Sequence, residues 1–176
     1  MTAVAALILG AAVVTAVVLA VLLPRVRRRP SAPSERRLLV AFTEGALDQT
    51  VLAAAIRIAR AEGATLVPAY LLVVPRSLAE DAPATEEVAV AMPLLEAVEL
   101  AALNAGVPVD ARIETGRTPI HALERLLDVE PFDRLIAPAP AESATEFTRG
   151  FTPKDLTWIL THAPIEALVL RPRPSA

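Results

Sequence analysis

Residues 107–138 read VPVDARIETGRTPIHALERLLDVEPFDRLIAP. Over residues 107–114 apolar and polar side chains partly alternate, the period of a strand. Thr118 followed by Pro119 is a helix start. The hydroxyl accepts an orphan N–H, and proline at the first helical position has no needed N–H to lose. Ile120, Leu123, Leu126 and Leu127 then recur on one face. FDRLIAP, residues 132–138, closes the unit as a second strand. Strand, helix and strand in this short compass predict a parallel pair joined by a right-handed crossover.

The same alternation extends both ways. Upstream, the apolar run within RRLLVAF, residues 38–42, suits a strand covered on both faces. Asp48 is a candidate cap for a helix carrying Val51, Leu52, Ala55, Ile56 and Ala59, which Gly63 ends. TLVPAYLLVV, residues 65–74, is the second strand; Pro68 has no ladder N–H to give, so it is expected near the strand's start or at a bulge. A polar loop and a helix reaching Asn104 follow, with Gly106 as its stop. Pro93 predicts that this helix either starts near residue 93 or kinks there. Downstream, Thr152 and Pro153 repeat the helix start, Asp155 falls in the first turn where the dipole favours it, and residues 165–172 form a last strand. The order β-α-β-α-β-α-β-α-β predicts a doubly wound parallel α/β sheet over residues 36–176.

The amino-terminal segment is of another kind. Residues 1–23 carry no charged side chain, and at about 1.5 Å rise per residue such a run crosses a hydrocarbon core of about 30 Å. Residues 3–23 are therefore expected to form one transmembrane helix within residues 1–24. A cleaved signal peptide would need a basic residue before the apolar run and a small-residue cleavage site after it. Here Pro24 and Arg25 follow instead. Arg25, Arg27, Arg28 and Arg29 lie directly after the span and predict a cytoplasmic carboxyl-terminal side: a single-pass protein of the cell membrane. Residues 25–35 are then a basic juxtamembrane and Pro/Ser linker, too short to carry the domain far from the bilayer.

Charge divides accordingly. Residues 1–37 hold six Arg and one Glu, net +5; the rest holds 11 basic and 19 acidic residues, net −8, giving the whole-chain −3. An acidic globular part argues against nucleic acid as a partner. The chain has no cysteine, which excludes disulfides, thiolate catalysis and cysteine metal sites.

RRLLVAF, EAVELAALNAGVPVDARIETGRTPIHAL, FDRLIAP and THAPIEALVLRP, in this order and spacing, resemble the universal stress protein family over residues 36–173. The resemblance implies a Rossmann-like sheet of five parallel strands in the order 3-2-1-4-5, and a stress-response role. It also implies a homodimer through the last strand, which opens on Ile165 and closes on Leu170. Nucleotide-binding members carry an Asp after the first strand and a Gly-x2-Gly-x9-Gly-Ser/Thr loop after the fourth. Laid on this chain, the Asp position is Thr43, the glycine positions are Ala137, Pro140 and Gly150, and the hydroxyl position is Phe151, with Thr152 one residue on. Phosphate cradles approach through backbone N–H groups and Gly conformations. Pro138 and Pro140 offer neither, and Glu142 and Glu146 add negative charge that Arg149 offsets only in part. The expectation is a binding or regulatory module without ATP or other cofactor. In the alternative, a divergent ATP switch or weak ATPase, the contacts would be Thr43, Ala137, Gly150 and Thr152.

No catalytic constellation stands out. His121 and His162 are the only histidines and nothing pairs them in sequence. Asp133 suits a turn cap, and Glu86, Glu87, Glu96 and Glu99 suit a solvated helix face. Trp158 is expected in the core or an interface, and no metal-ligand cluster is apparent. The expected partners are the bilayer, a second copy, and a neighbouring membrane protein such as a transporter.

Overall fold

A computed structural model describes residues 36–43, 47, 49–77, 85–139 and 151–171. The expected span, the arginines at 25, 27, 28 and 29, the linker, the Asp48 cap and residues 140–150 lie outside the described residues. Among the described residues no helix is long and apolar enough to cross a membrane.

The elements are β1 (Arg37–Phe42), α1 (Gln49–Glu62), β2 (Thr65–Val73), α2 (Thr85–Asn104), β3 (Arg112–Gly116), α3 (Pro119–Val129), β4 (Arg134–Pro138), α4 (Pro153–His162) and β5 (Glu166–Leu170). The five strands form one parallel sheet in the order β3-β2-β1-β4-β5. Side chains alternate between its faces, as the strand period demands. Leu38 and Val40 join Val51, Ala55 and Ala59 of α1 and Val98 and Ala102 of α2. Leu39, Ala41, Leu135 and Ala137 join Ala122, Leu123 and Leu126 of α3 and Ile159 of α4. Because helices cover both faces, β1 is a continuous apolar run rather than an alternating one.

Pro68 departs from expectation. It sits inside β2, fourth of nine residues and opposite Val40 of β1. The register explains how it is tolerated. Leu66 N–H donates to Pro108 O, and Asp110 N–H donates to Leu66 O, so even-numbered residues of β2 face β3. Pro68 therefore withholds an N–H from β3 and not from β1. The ladder shows the loss: Val109 bridges Leu66, and pairing resumes only at Ala69 with Arg112. The strand expected over residues 107–114 is thus interrupted and shifted, with Arg112–Gly116 as its regular part. Before it, Gly106 ends α2 at φ +73°, a left-handed conformation that lets Val107 N–H reach back to Ala102 O at 2.9 Å. The helix runs through Pro93 rather than starting there; Pro93 and Ala89 are both exposed, so the missing bond is on the solvent side.

The amino edge of the sheet is held by ion pairs. Arg37 donates to Glu130 at 2.7 Å and Asp110 at 3.3 Å, and its guanidinium lies 4.8 Å from the Phe132 ring centroid. Arg112 pairs with Glu130 at 2.9 Å and also with Asp110. Arg134 bridges Glu62 and Glu166, the latter at 2.7 Å. These pairs join β1, β3, β4 and β5 to the ends of α1 and α3, on the side opposite the carboxyl edge where ligands of open α/β sheets generally bind.

Candidate functional site

Four strand ends and two helix starts define the carboxyl edge. β1 delivers Phe42 and Thr43, both buried. Thr43, at the position of the family's Asp, is a hydroxyl enclosed in protein, engaged by the surrounding structure rather than presented to solvent. β2 and β3 end together: Val74 N–H donates to Gly116 O at 2.9 Å. A Cβ on Gly116 would lie 2.5 Å from Ala122 N, so α3 approaches the end of β3 as closely as it does only because the residue is glycine. Arg117 then turns back, its Nη1 donating to Pro75 O at 2.6 Å and Val74 O at 3.3 Å. It pins the exit of β2 to the end of β3. Thr118 caps α3 as expected, its Oγ1 accepting from His121 N–H at 3.1 Å, while His121 Nδ1 accepts from Arg117 N–H.

The end of β4 and the start of α4 flank the loop that would hold a phosphate. Ala137 and Pro138 are buried, and Ala139 N–H donates to Leu170 O of β5 at 2.8 Å. Pro140, Glu142, Glu146, Arg149 and Gly150 lie outside the described residues. Phe151, at the hydroxyl position, is 2% exposed and packs its ring among Ala41, Leu71, Leu123 and Ile159. It faces the core. Thr152 is the N-cap of α4, and its surroundings matter more than its identity. Asp155 Oδ2 accepts from Thr152 N–H at 2.8 Å and from Thr152 Oγ1 at 2.7 Å, while Thr152 Oγ1 accepts from Asp155 N–H. This reciprocal capping box places a carboxylate of the chain itself where an incoming anion would meet the positive helix end. The sequence held the signal as Thr-x-x-Asp; reading Asp155 only as a dipole partner missed that it also consumes the donors.

Thr43, Ala137 and Thr152 thus converge on one edge, since β1 and β4 are neighbours in register. They bring to it a buried hydroxyl, a buried methyl and a cap already engaged by Asp155. His121 and His162 do not meet: one opens α3 at the carboxyl edge, the other closes α4 at the amino edge. His162 stacks on Trp158 at 5.7 Å and 11°. Trp158 is half-buried against the core, as expected. Asp133 accepts from Arg37 N–H at 2.7 Å and donates its own N–H to Arg37 O, clamping the start of β1 to the approach of β4. Glu96 is exposed and Glu99 half-buried on α2; the side chains of Glu86 and Glu87 lie outside the described residues. Among the described residues no group of three acidic, His or Cys side chains could hold a metal ion.

Beside the carboxyl end of β1, α1 and α2 enclose an open groove of about 480 Å³. Phe42, Leu52, Ile56, Leu94 and Val98 line it, with Gln49 as its polar side chain. Glu114 on β3 has its carboxyl pushed above the usual range, burial outweighing the nearby Arg125 guanidinium. In Glu130 burial also raises the carboxyl, but hydrogen bonds from Arg112 and Arg37 win and hold it below the usual range.

No protein-family model and no curated protein sequence matches the chain. Solved structures do. The universal stress protein UspA from Lactobacillus plantarum is similar at TM-score 0.60 and 19% identity, over 80% of this chain and 100% of that one. A universal stress protein solved in complex with cAMP is similar at TM-score 0.54 and 18% identity, over 78% of this chain and 98% of that one. An Arabidopsis thaliana member of the universal stress protein family, solved with AMP bound, is similar at TM-score 0.53 and 16% identity, over 79% of this chain and 93% of that one. The fold of this chain is that of the universal stress proteins, strand order 3-2-1-4-5 included.

Proposed function

We propose that this chain is a membrane-tethered module of the universal stress protein type that acts by binding and regulation, without a nucleotide and without catalysis. The occupied amino end of α4 carries this reading. Asp155 takes up the Thr152 donors, and a triphosphate approaching them would meet a carboxylate instead of free N–H groups. The buried Phe151 ring supplies no hydroxyl in its place. Isothermal titration of the full chain in mild detergent with millimolar ATP and magnesium gives no saturable heat on this reading. A clear binding isotherm overturns it.

The second reading is an adenine-nucleotide switch. Two fold neighbours hold cAMP and AMP, and Thr43, Ala137, Gly150 and Thr152 would be the contacts here. A thermal shift with ATP that disappears in Thr152→Glu favours it.

The tether is the apolar run 3–23, with Arg25, Arg27, Arg28 and Arg29 on its cytoplasmic side. A cytoplasm-active reporter fused after Ala176 works in this topology, whereas an exported one is silent. The partner surface is the free edge of β5. The two sheet edges differ in chemistry: β3 carries Arg112 and Glu114, the latter 3.2 Å from Arg125, and such charges deter strand addition. β5 runs Ala167, Leu168, Val169 and Leu170, all half-buried, with charge only at its ends. A second copy pairs there, or a neighbouring membrane protein such as a transporter is held through it.

A further inference from the structure

The carboxyl edge and the β5 edge leave the outer side of α2 unexplained. Its inner stripe is Ala91, Leu95, Val98 and Ala102, all buried. From Ala89 to Asn104 every exposed residue of the helix is apolar except Glu96 and Asn104. Leu100 and Leu103 are 61% and 60% exposed. A helix that is apolar all round is ordinarily covered all round.

The two polar residues are placed symmetrically. Glu96 and Asn104 stand four residues to either side of Leu100. At about 100° per residue, Leu100 lies opposite the buried Ala91, at the centre of the outer face, and Glu96, Leu100 and Asn104 form one i±4 ridge across it. Among the described residues neither the Glu96 carboxylate nor the Asn104 side-chain amide has a hydrogen-bond partner.

We propose that the outer face of α2 is a self-association surface, on which a second copy of the chain packs its own α2 antiparallel about a two-fold axis at Leu100. In the commonest crossing of packed helices, at about 50°, the i±4 ridges of the two lie side by side. A two-fold axis at Leu100 runs those ridges in opposite directions. Glu96 of each copy then accepts from the side-chain N–H of Asn104 in the other, and the contact is made twice. This match identifies the occupant. An acceptor and a donor at equal distances from one leucine become each other's partners under two-fold symmetry. The surface is separate from the β5 edge: α2 packs through Ala91 and Leu95 on Phe42, Tyr70 and Leu72 of β1 and β2, whereas β5 lies beyond β4. A single helix crossing buries less than the roughly 800 Å² per partner of a standard interface, so the pair is weak and reversible.

The chain has no cysteine, so an introduced thiol traps the pair without background. Full chain carrying Leu100→Cys is oxidised gently in mild detergent and run on a non-reducing denaturing gel. A covalent dimer is expected, because residue 100 meets its own copy at the axis. Lys154→Cys, exposed on α4 at the other face of the sheet, reports random collision and stays monomeric. Asn104→Asp added to Leu100→Cys sets like charges against Glu96 at both contacts and slows cross-linking at least about tenfold. Glu96→Gln added to that pair puts donor and acceptor back in exchanged places and restores the rate. Residues 96, 100, 104 and 154 are all exposed, so these variants keep the fold. No dimer at 100, or equal dimer at 100 and 154, overturns the surface. A rate that ignores Asn104→Asp, or that Glu96→Gln does not restore, overturns the pairing of the ridges. Val169→Pro at the β5 edge leaves cross-linking at 100 unchanged; its disappearance there would assign the contact to the β5 pair and overturn the proposal.

Discussion

Asp155 and Phe151 decide more than the glycines that are missing. Pro138 has no N–H to give, but a helix end with free donors could still have held an anion. Here Asp155 accepts from both the backbone N–H and the hydroxyl of Thr152, so a carboxylate of the chain stands at that helix end. The Phe151 ring, buried among Ala41, Leu123 and Ile159, stabilises the sheet–helix layer instead. Phe151→Ala is expected to cost about 3–5 kcal/mol, measured by urea unfolding, because the cavity cannot close between a sheet and two helices. Were the loss only a few tenths, the ring would not be part of the core. Gly116 is the other residue without a substitute. A methyl there meets the backbone of Ala122, which cannot swing aside as a side chain does. Gly116→Ala is expected to lose about 2–3 kcal/mol by the same measurement, and a wild-type midpoint would show that α3 shifts freely. The reason residue 116 must be glycine is a contact with α3 that no local pattern contains.

Among the elements, β2 and β3 show how tertiary pairing redraws what periodicity predicts. The apolar run of β2 was legible, but Pro68 argued for its start or a bulge. The strand accommodates Pro68 in its interior because the absent N–H faces β3, where Asp110 and Ala111 leave the regular ladder. A one-residue change in register would have turned it toward β1 and cost a bond in the centre of the sheet. The same alternation gives a test for β5. Ala139 N–H donates to Leu170 O, so even-numbered residues of β5 face β4 and Val169 faces the free edge. Val169→Pro therefore removes an edge donor without breaking the β4 ladder. It is expected to leave the melting temperature close to wild type and, if β5 is the pairing edge proposed above, to shift sedimentation velocity from dimer towards monomer. An unchanged dimer would place the self-association surface elsewhere.

On the scale of the whole molecule, opposite ends of the sheet carry different chemistry. The amino edge carries the Arg37, Asp110, Arg112 and Glu130 network; the carboxyl edge carries the loop ends. The network sets a pH dependence whose sign can be worked out. Glu130 is held below the ordinary value of 4.5. Its contribution is present above that value and is lost as pH falls through the lower, folded one. Glu114 is displaced upward, so it acts oppositely: stability declines as pH rises from 4.5 through its raised value. Glu130→Gln is expected to cost about 1 kcal/mol at neutral pH, discounted for its partial exposure, and to flatten the acid limb of unfolding midpoints below about pH 4.5. An acid limb as steep as wild type would assign the loss to other carboxylates. The order of strands and helices was fixed by the chain's own periodicity and punctuation, because apolar spacing, Thr-Pro starts and glycine stops act over a few residues. The apolar run at residues 3–23 and its arginines were equally plain there. The interruption of β3, the burial of Phe151, the capping of α4 by Asp155 and the pairing of Arg37 with residues far along the chain came only with the tertiary structure. Each depends on which strands lie side by side and in what register, and that is settled by packing between segments remote in sequence.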